Sequence, residues 1–213
     1  MKMTGKLLLA AAAVAGFSGT AMAADLYVPP AQPAPVAQVP AATDWDGPYI
    51  GASVGYGWGT ASDSTVGDSA SLTGFMVGGQ VGYNFHLSNN IVAGVEGDLN
   101  WNDQTGTFGT SGNTYRINWD GSARGRLGVD LDGILPYVEA GVAFANATDS
   151  ISGSDYSNTH TGWTAGAGVE FKVADPISVN VEYRYSDYGS QTYNGNSVAL
   201  TDNTVKAGIN YHF

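Results

Sequence analysis

Ile177-Ser178-Val179-Asn180-Val181-Glu182-Tyr183-Arg184-Tyr185 sets an apolar side chain at every odd position and a polar or charged one at every even position. A period of two is the geometry of a β-strand, in which successive side chains point to opposite faces. The polar face of this stretch carries Glu182 and Arg184, while the other face has no charge at all.

Seven more stretches alternate in the same way, at residues 50–58, 73–85, 91–101, 115–129, 134–144, 163–171 and 205–213. In the fourth, the alternation assigns Tyr115, Ile117, Trp119, Ala123, Leu127 and Val129 to the apolar face and Arg116, Asp120, Arg124 and Arg126 to the polar one. The chain has 30 glycines, no cysteine and no helical stripe past residue 25, so its 213 residues read as one all-β domain.

Alternation alone suits a soluble sandwich as well as a membrane barrel, and the placement of charge separates them. Arg116, Arg124, Arg126, Lys172, Arg184 and Lys206 all read onto polar strand faces, together with Glu96, Asp98, Asp120, Glu139, Glu170 and Glu182. The segments between strands carry no Lys or Arg. A soluble sandwich would share its cations with its loops. If the polar faces are enclosed instead, every ion out of bulk water needs a partner of opposite sign, and the count matches. The uncharged faces, rich in aromatics near their ends, then meet lipid.

The spaces between strands agree with this reading. Short connections at residues 86–90, 130–133 and 173–176 alternate with long polar ones at 60–71, 102–113, 148–159 and 187–202. The expected fold is an eight-stranded antiparallel transmembrane β-barrel with short periplasmic turns and four long extracellular loops. Lipid supplies no hydrogen bonds, so the sheet must close without an edge. At eight strands the interior is just wide enough for side chains to fill it.

Lys2 and Lys6, the apolar run Leu7 to Phe17 and Ala21-Met22-Ala23 follow the order of a secretory signal peptide over residues 1–23, too short for a membrane anchor. Its removal takes two cations and no acid, moving the net charge from −11 to −13. So acidic a chain is a poor partner for nucleic acid. Residues 24–45, with Pro29, Pro30, Pro33, Pro35 and Pro40, read as a periplasmic tether ahead of a barrel at 46–213.

The runs Trp45-Asp46-Gly47-Pro48-Tyr49-Ile50-Gly51, Gly94-Val95-Glu96-Gly97-Asp98, Gly162 to Glu170 and Val181-Glu182-Tyr183-Arg184-Tyr185, with Tyr188-Gly189 and Tyr211-His212-Phe213, carry a family likeness. As a set they resemble the small porin-like outer-membrane proteins and surface antigens of alphaproteobacteria, over residues 45–213. The resemblance implies an abundant surface barrel tied to envelope integrity and host contact, with pore activity or haem-related binding in some relatives. It brings no shared catalytic motif.

Within that frame the lumenal charge set of twelve reads as an ion path or as a structural network. The narrow bore favours the network, with Arg124 opposite Glu139 and Asp98 near Arg116. Asp63, Asp68, Asp103, Asp149, Asp155, Asp187 and Asp202 lie in the expected loops without a cation. No stretch has calcium-loop spacing, so they read as a solvated, repulsive surface. His86, His160 and His212 are too dispersed for a shared metal site. Gly51-Ala52-Ser53-Val54-Gly55 has the Gly-x-Ser-x-Gly spacing but lies inside a strand stretch and makes no strand-to-helix elbow, so catalytic residues, metal and cofactor are all expected to be none. Tyr211 and Phe213 close the chain in the pattern read by the barrel-assembly machinery.

The function expected is structural, in envelope integrity and surface interaction. A narrow diffusion channel is the alternative, and a barrel enzyme acting on lipid or peptide a third. Expected partners are outer-membrane lipids and lipopolysaccharide, the assembly machinery and an unidentified surface ligand.

Overall fold

The computed structural model describes residues 45–213 apart from 66, 89, 110–111, 152–153 and 194–195. The expected signal peptide and all of the expected tether but Trp45 lie outside the described residues. Eight strands follow in order: β1 (Gly47–Asp63), β2 (Asp68–Ser88), β3 (Ile91–Thr107), β4 (Thr114–Val129), β5 (Ile134–Ile151), β6 (Ser154–Ala174), β7 (Ile177–Tyr193) and β8 (Asn196–His212). Each pairs antiparallel with its neighbours, and β1 also pairs with β8 from Tyr49↔His212 to Asp63↔Val198, closing the barrel. Closure leaves no row of unpaired backbone groups facing lipid.

Burial is inverted relative to a water-soluble protein. Phe75 is 75% exposed and Trp101 62%, whereas Arg184 is 2% exposed. The outward side chains form an apolar band edged by aromatic pairs: Tyr56–Phe75, Trp58–Tyr183 and Trp163–Tyr185 toward one end, Tyr211–Phe213 at the other. Such belts mark the two membrane–water interfaces.

Beyond Trp58 and Trp163 the pattern reverses. Outward positions become polar, as at Thr60, Ser62, Ser157 and Thr159, and inward ones become apolar, as at Ala61, Leu72, Ala145 and Leu200. The segments expected as long extracellular loops are therefore largely strand. The connections proper shrink to residues 64–67, 108–113, 152–153 and 194–195. Above the lipid an outward face has no need to be apolar, so the alternation fades from the sequence while the hydrogen-bonded ladder continues.

At the opposite end the turns are as short as expected. Between β4 and β5, Asp132 (φ 59°) and Gly133 (φ 89°) both take positive φ, the backbone of a type I′ hairpin for which Asp-Gly is a favoured pair. Register slips of one or more residues interrupt several ladders, including Trp101/Gln104 between β3 and β4 and Ile117/Trp119 between β4 and β5. The bulge at Ile117/Trp119 exchanges the inward and outward faces of β4 on its two sides.

Candidate functional site

Side chains fill the lumen in layers. At the periplasmic end Trp45 is fully buried against Val92 and Leu135, edge-on to His212 with ring centroids 5.7 Å apart. Residue 45 thus belongs to the barrel mouth, where an apolar ring preceding β1 is desolvated. Lys172 lies here too, its Nζ 5.0 Å from the Trp45 ring centre. Next come Tyr49, Tyr137, Arg126 and Glu170. Arg126 donates from Nη2 to Glu170 Oε2 (2.7 Å) and from Nη1 to the Tyr49 hydroxyl (3.0 Å), which itself donates to Glu96 Oε2 (2.6 Å). Gly82 and Gly168, lacking side chains, leave the space these tyrosines cross; a Cβ on Gly168 would stand 2.6 Å from Tyr137 Cζ.

Arg124 is the hub of the middle layer. It bonds Glu96 and Asp98, and reaches Glu139 Oε2 from Nε (3.0 Å) and Glu182 Oε2 from Nη2 (3.7 Å). Arg184 Nη1 lies 3.0 Å from Asp98 Oδ2 and its Nη2 3.6 Å from Asp120 Oδ1, while Lys206 Nζ is 3.5 Å from Glu182 Oε1. Five strands, β3, β4, β5, β7 and β8, contribute to this knot. Paired ions repay their desolvation only in such short, shared geometry.

Ten of the twelve predicted lumenal charges lie buried in this interior: Glu96, Asp98, Asp120, Arg124, Arg126, Glu139, Glu170, Glu182, Arg184 and Lys206. Lys172 sits at the mouth, as described. Arg116 does not belong to the set: it is exposed on the outer wall. The Ile117/Trp119 bulge changes the phase of β4, so Tyr115 and Ile117 point inward and Arg116 outward, contrary to the simple alternation. Asp98 is accordingly not beside Arg116 but held by Arg124, Arg184 and Lys206. Arg124 and Glu139 do meet, although diagonally, since the residue opposite Glu139 in register is Arg126.

Above the ions lie Asn100, Asn102, Gln104, Asp120 and Asp202, and above these an apolar plug that includes Leu72, Tyr115, Ile117, Ala143, Ala145, Tyr188 and Leu200. His160 is buried in the plug, 3.0 Å from the Tyr115 hydroxyl. Of the acids expected in solvated loops, Asp63, Asp149 and Asp202 are buried, because the ladder extends past them and turns them inward; Asp103 and Asp155 are exposed. The plug was missed by the sequence reading. Its trace is the stretch Gly141-Val142-Ala143-Phe144-Ala145, where neither face is polar.

Ser178, His212 and Glu170 form a Ser–His–acid cluster among the described residues. Ser178 Oγ is 2.9 Å from His212 Nε2, and Glu170 Oε1 is 3.3 Å from that same nitrogen. A relay triad needs the acid on the other ring nitrogen, orienting the base toward the serine. Here Nδ1 has no hydrogen-bond partner, and Trp45 and Tyr49 pack against the imidazole. His86, at the periplasmic rim, is 2.8 Å from Asp46.

A closed eight-stranded barrel with apolar side chains outward, aromatic belts at two levels and its ions inward is an integral outer-membrane barrel. The family model for the outer membrane protein beta-barrel domain matches residues 9–213. The chain belongs to that family and is an outer-membrane protein. It is 38% identical over 220 residues to the 25 kDa outer-membrane immunogenic protein of Brucella abortus, covering 100% of both chains. It is 40% identical over 189 residues to a 22 kDa outer membrane protein of Rhizobium leguminosarum, covering 86% of this chain and 83% of that one. Both relatives are alphaproteobacterial, as the motifs implied. Among solved structures, Neisserial surface protein A shares the fold, with a TM-score of 0.56 at 21% identity over 79% of this chain and 98% of its own.

Proposed function

We propose that the protein is a non-conducting, non-catalytic barrel that reinforces the outer membrane and presents a rigid surface for interaction outside the cell. The observation that carries this reading is the unbroken filling of the lumen, from Trp45 through the Arg124 hub to the Leu72–Leu200 plug. An ion crossing it would have to displace buried, mutually bonded charges and then an apolar layer. The geometry around Ser178 and His212 supports a non-catalytic role, and the word immunogenic in the names of the Brucella relatives fits exposure at the cell surface. Lipid and lipopolysaccharide are the partners that suit the outer wall, and Tyr211 and Phe213, outward at the chain end, suit recognition by the assembly machinery.

Conductance in planar bilayers tests this. The refolded protein is expected to give no sustained steps, and neither is the double variant Arg124→Gln, Glu139→Gln. Steady, ion-selective steps from the wild type would overturn the reading in favour of a narrow diffusion channel.

A further inference from the structure

In the buried ion network six carboxyl groups, those of Glu96, Asp98, Asp120, Glu139, Glu170 and Glu182, face only four permanent cations, Arg124, Arg126, Arg184 and Lys206. The even balance expected from alternation counted Arg116 and Lys172, which lie on the outer wall and at the mouth. His212 can add one positive charge, and it sits 3.3 Å from Glu170. A surplus of acid enclosed between Trp45 and the apolar plug is costly if every carboxyl is ionised.

The hydrogen bonds single out one member of the six. Tyr49 and Arg124 donate to Glu96, Ser122 and Asn100 to Asp98, and Asn100 and Asn102 to Asp120. Ser178 and Asn210 donate to Glu170, and Tyr137 to Glu182. Glu139, only 4% exposed, accepts no hydrogen bond at either oxygen. Among the described residues its one ion-pair contact is Arg124, whose Nε is 3.0 Å from Oε2 without forming a hydrogen bond. The two terminal nitrogens of that guanidinium are committed to Asp98 and Glu96. On the β6 side Glu139 meets only Gly166, where a Cβ would stand 3.0 Å from Oε1.

The charged groups around Glu139 are Glu96 and Asp98 of β3, Arg124 and Arg126 of β4, Glu182 and Arg184 of β7 and Lys206 of β8. Tyr137 precedes it on β5, and Glu170 of β6 is bound to Arg126. One oxygen from each of Glu96, Glu139 and Glu182 lies within 4.8 Å of the other two. They converge on the Arg124 guanidinium, which touches all three and leaves no place for a metal ion. Carboxyls crowded in a dry site do not all ionise, and the one with the poorest support keeps its proton.

We propose that Glu139 is a neutral carboxylic acid in the folded barrel at neutral pH, and that its proton makes the barrel sensitive to alkali. In the unfolded chain the same side chain ionises above about pH 4.3. Over the range in which only the unfolded state has lost this proton, the folded state binds one proton more, so stability falls as the pH rises. Each pH unit then multiplies the unfolding equilibrium constant by roughly ten.

The test uses the mature protein refolded in detergent, with carbon-13 at the glutamate side-chain carboxyls so that glutamates are separated from aspartates. Infrared spectra and urea unfolding are recorded from pH 5 to pH 9 for the wild type, Glu139→Gln, Glu96→Gln and Glu182→Gln. Expected at pH 7 is a carboxylic-acid carbonyl band that shifts with the label, fades toward alkaline pH and is missing from Glu139→Gln alone. The ratio of wild-type to Glu139→Gln unfolding constants is expected to rise about tenfold per pH unit between pH 5 and pH 7, a ratio that cancels the histidines. No label-sensitive acid band in the wild type, which needs no variant to fold, would overturn the proposal. So would a pH-independent ratio, or a band kept in Glu139→Gln and lost in Glu96→Gln or Glu182→Gln. Failure of Glu139→Gln to refold would overturn it as well, because the amide supplies the uncharged side chain that the proposal requires.

Discussion

The guanidinium carbon of Arg126 stands 4.0 Å from the centre of the Tyr137 ring, and the same guanidinium is bonded to Glu170 and to the Tyr49 hydroxyl. One cation therefore serves an aromatic face, a phenol and a carboxylate at a single level of the barrel. Replacing Arg126 with Met strands buried Glu170, and the expected loss is about 3–5 kcal/mol, read from urea unfolding of the refolded barrel. Tyr137→Leu removes only the ring contact and part of the packing, for about 1–2 kcal/mol. An equal loss from the two variants would show that the ion pair contributes little.

Arg124 touches four carboxylates, so its removal should be the most damaging single charge change in the lumen. Arg124→Met is expected to cost about 3–5 kcal/mol or to abolish refolding. Adding Glu139→Gln should recover only part of that loss, because Glu96, Asp98 and Glu182 remain. Full recovery in the double variant, scored by equilibrium unfolding, would reduce the hub to an isolated pair.

Gly168 and Gly125 make a matched test of the inner and outer walls. Gly168→Ala pushes a methyl into the Tyr137 ring and should cost about 1–3 kcal/mol. A Cβ at Gly125 meets nothing within 4 Å, so Gly125→Ala is expected to stay within about 0.5 kcal/mol of wild type. The comparison needs only unfolding midpoints in the same detergent.

Leu72 and Ser62 make the corresponding test above the lipid. Leu72→Ala opens a cavity in the plug and should cost about 2–5 kcal/mol, whereas Ser62→Lys, on the exposed outer wall, should be close to neutral. Comparable losses at the two sites would contradict the reversed pattern of the upper barrel.

The absence of cysteine allows the outer wall to be mapped on intact cells with single cysteines. Arg116→Cys and Thr159→Cys should react with a membrane-impermeant maleimide, and Val142→Cys, on the lipid face, should not. Protection of Arg116→Cys with labelling of Val142→Cys would reverse the assignment of faces.

Strand number, order and closure were legible because lipid imposes a strict rule on every second residue, as from Ile177 to Tyr185. The rule lapses outside the lipid. Thr159 and Ser157 look like loop residues, yet they sit on a continuing ladder whose support comes from the opposite face. Arg116 was misplaced for a related reason: a bulge adds one residue without leaving a compositional mark, and every side chain past it changes sides. Most of the lumenal charges could be named from alternation, but not their partners. The Arg124 hub depends on diagonal reach across β3, β4, β5 and β7, which linear spacing does not encode. Trp45 stood in a run that carries the family likeness, but as a single aromatic after a Pro-rich stretch it had no alternation to place it in the barrel mouth.

The exchange of apolar and polar faces just past Trp58 and Trp163 also fixes the molecule along the membrane normal. A shift outward by two residues, about 7 Å of strand, would lift Trp58 and Trp163 out of the interface. The same shift inward would drag Thr60 and Thr161 into hydrocarbon. The protein thus carries its own gauge of immersion, and a bilayer thinner or thicker than its apolar band must deform to match it before the barrel will slide.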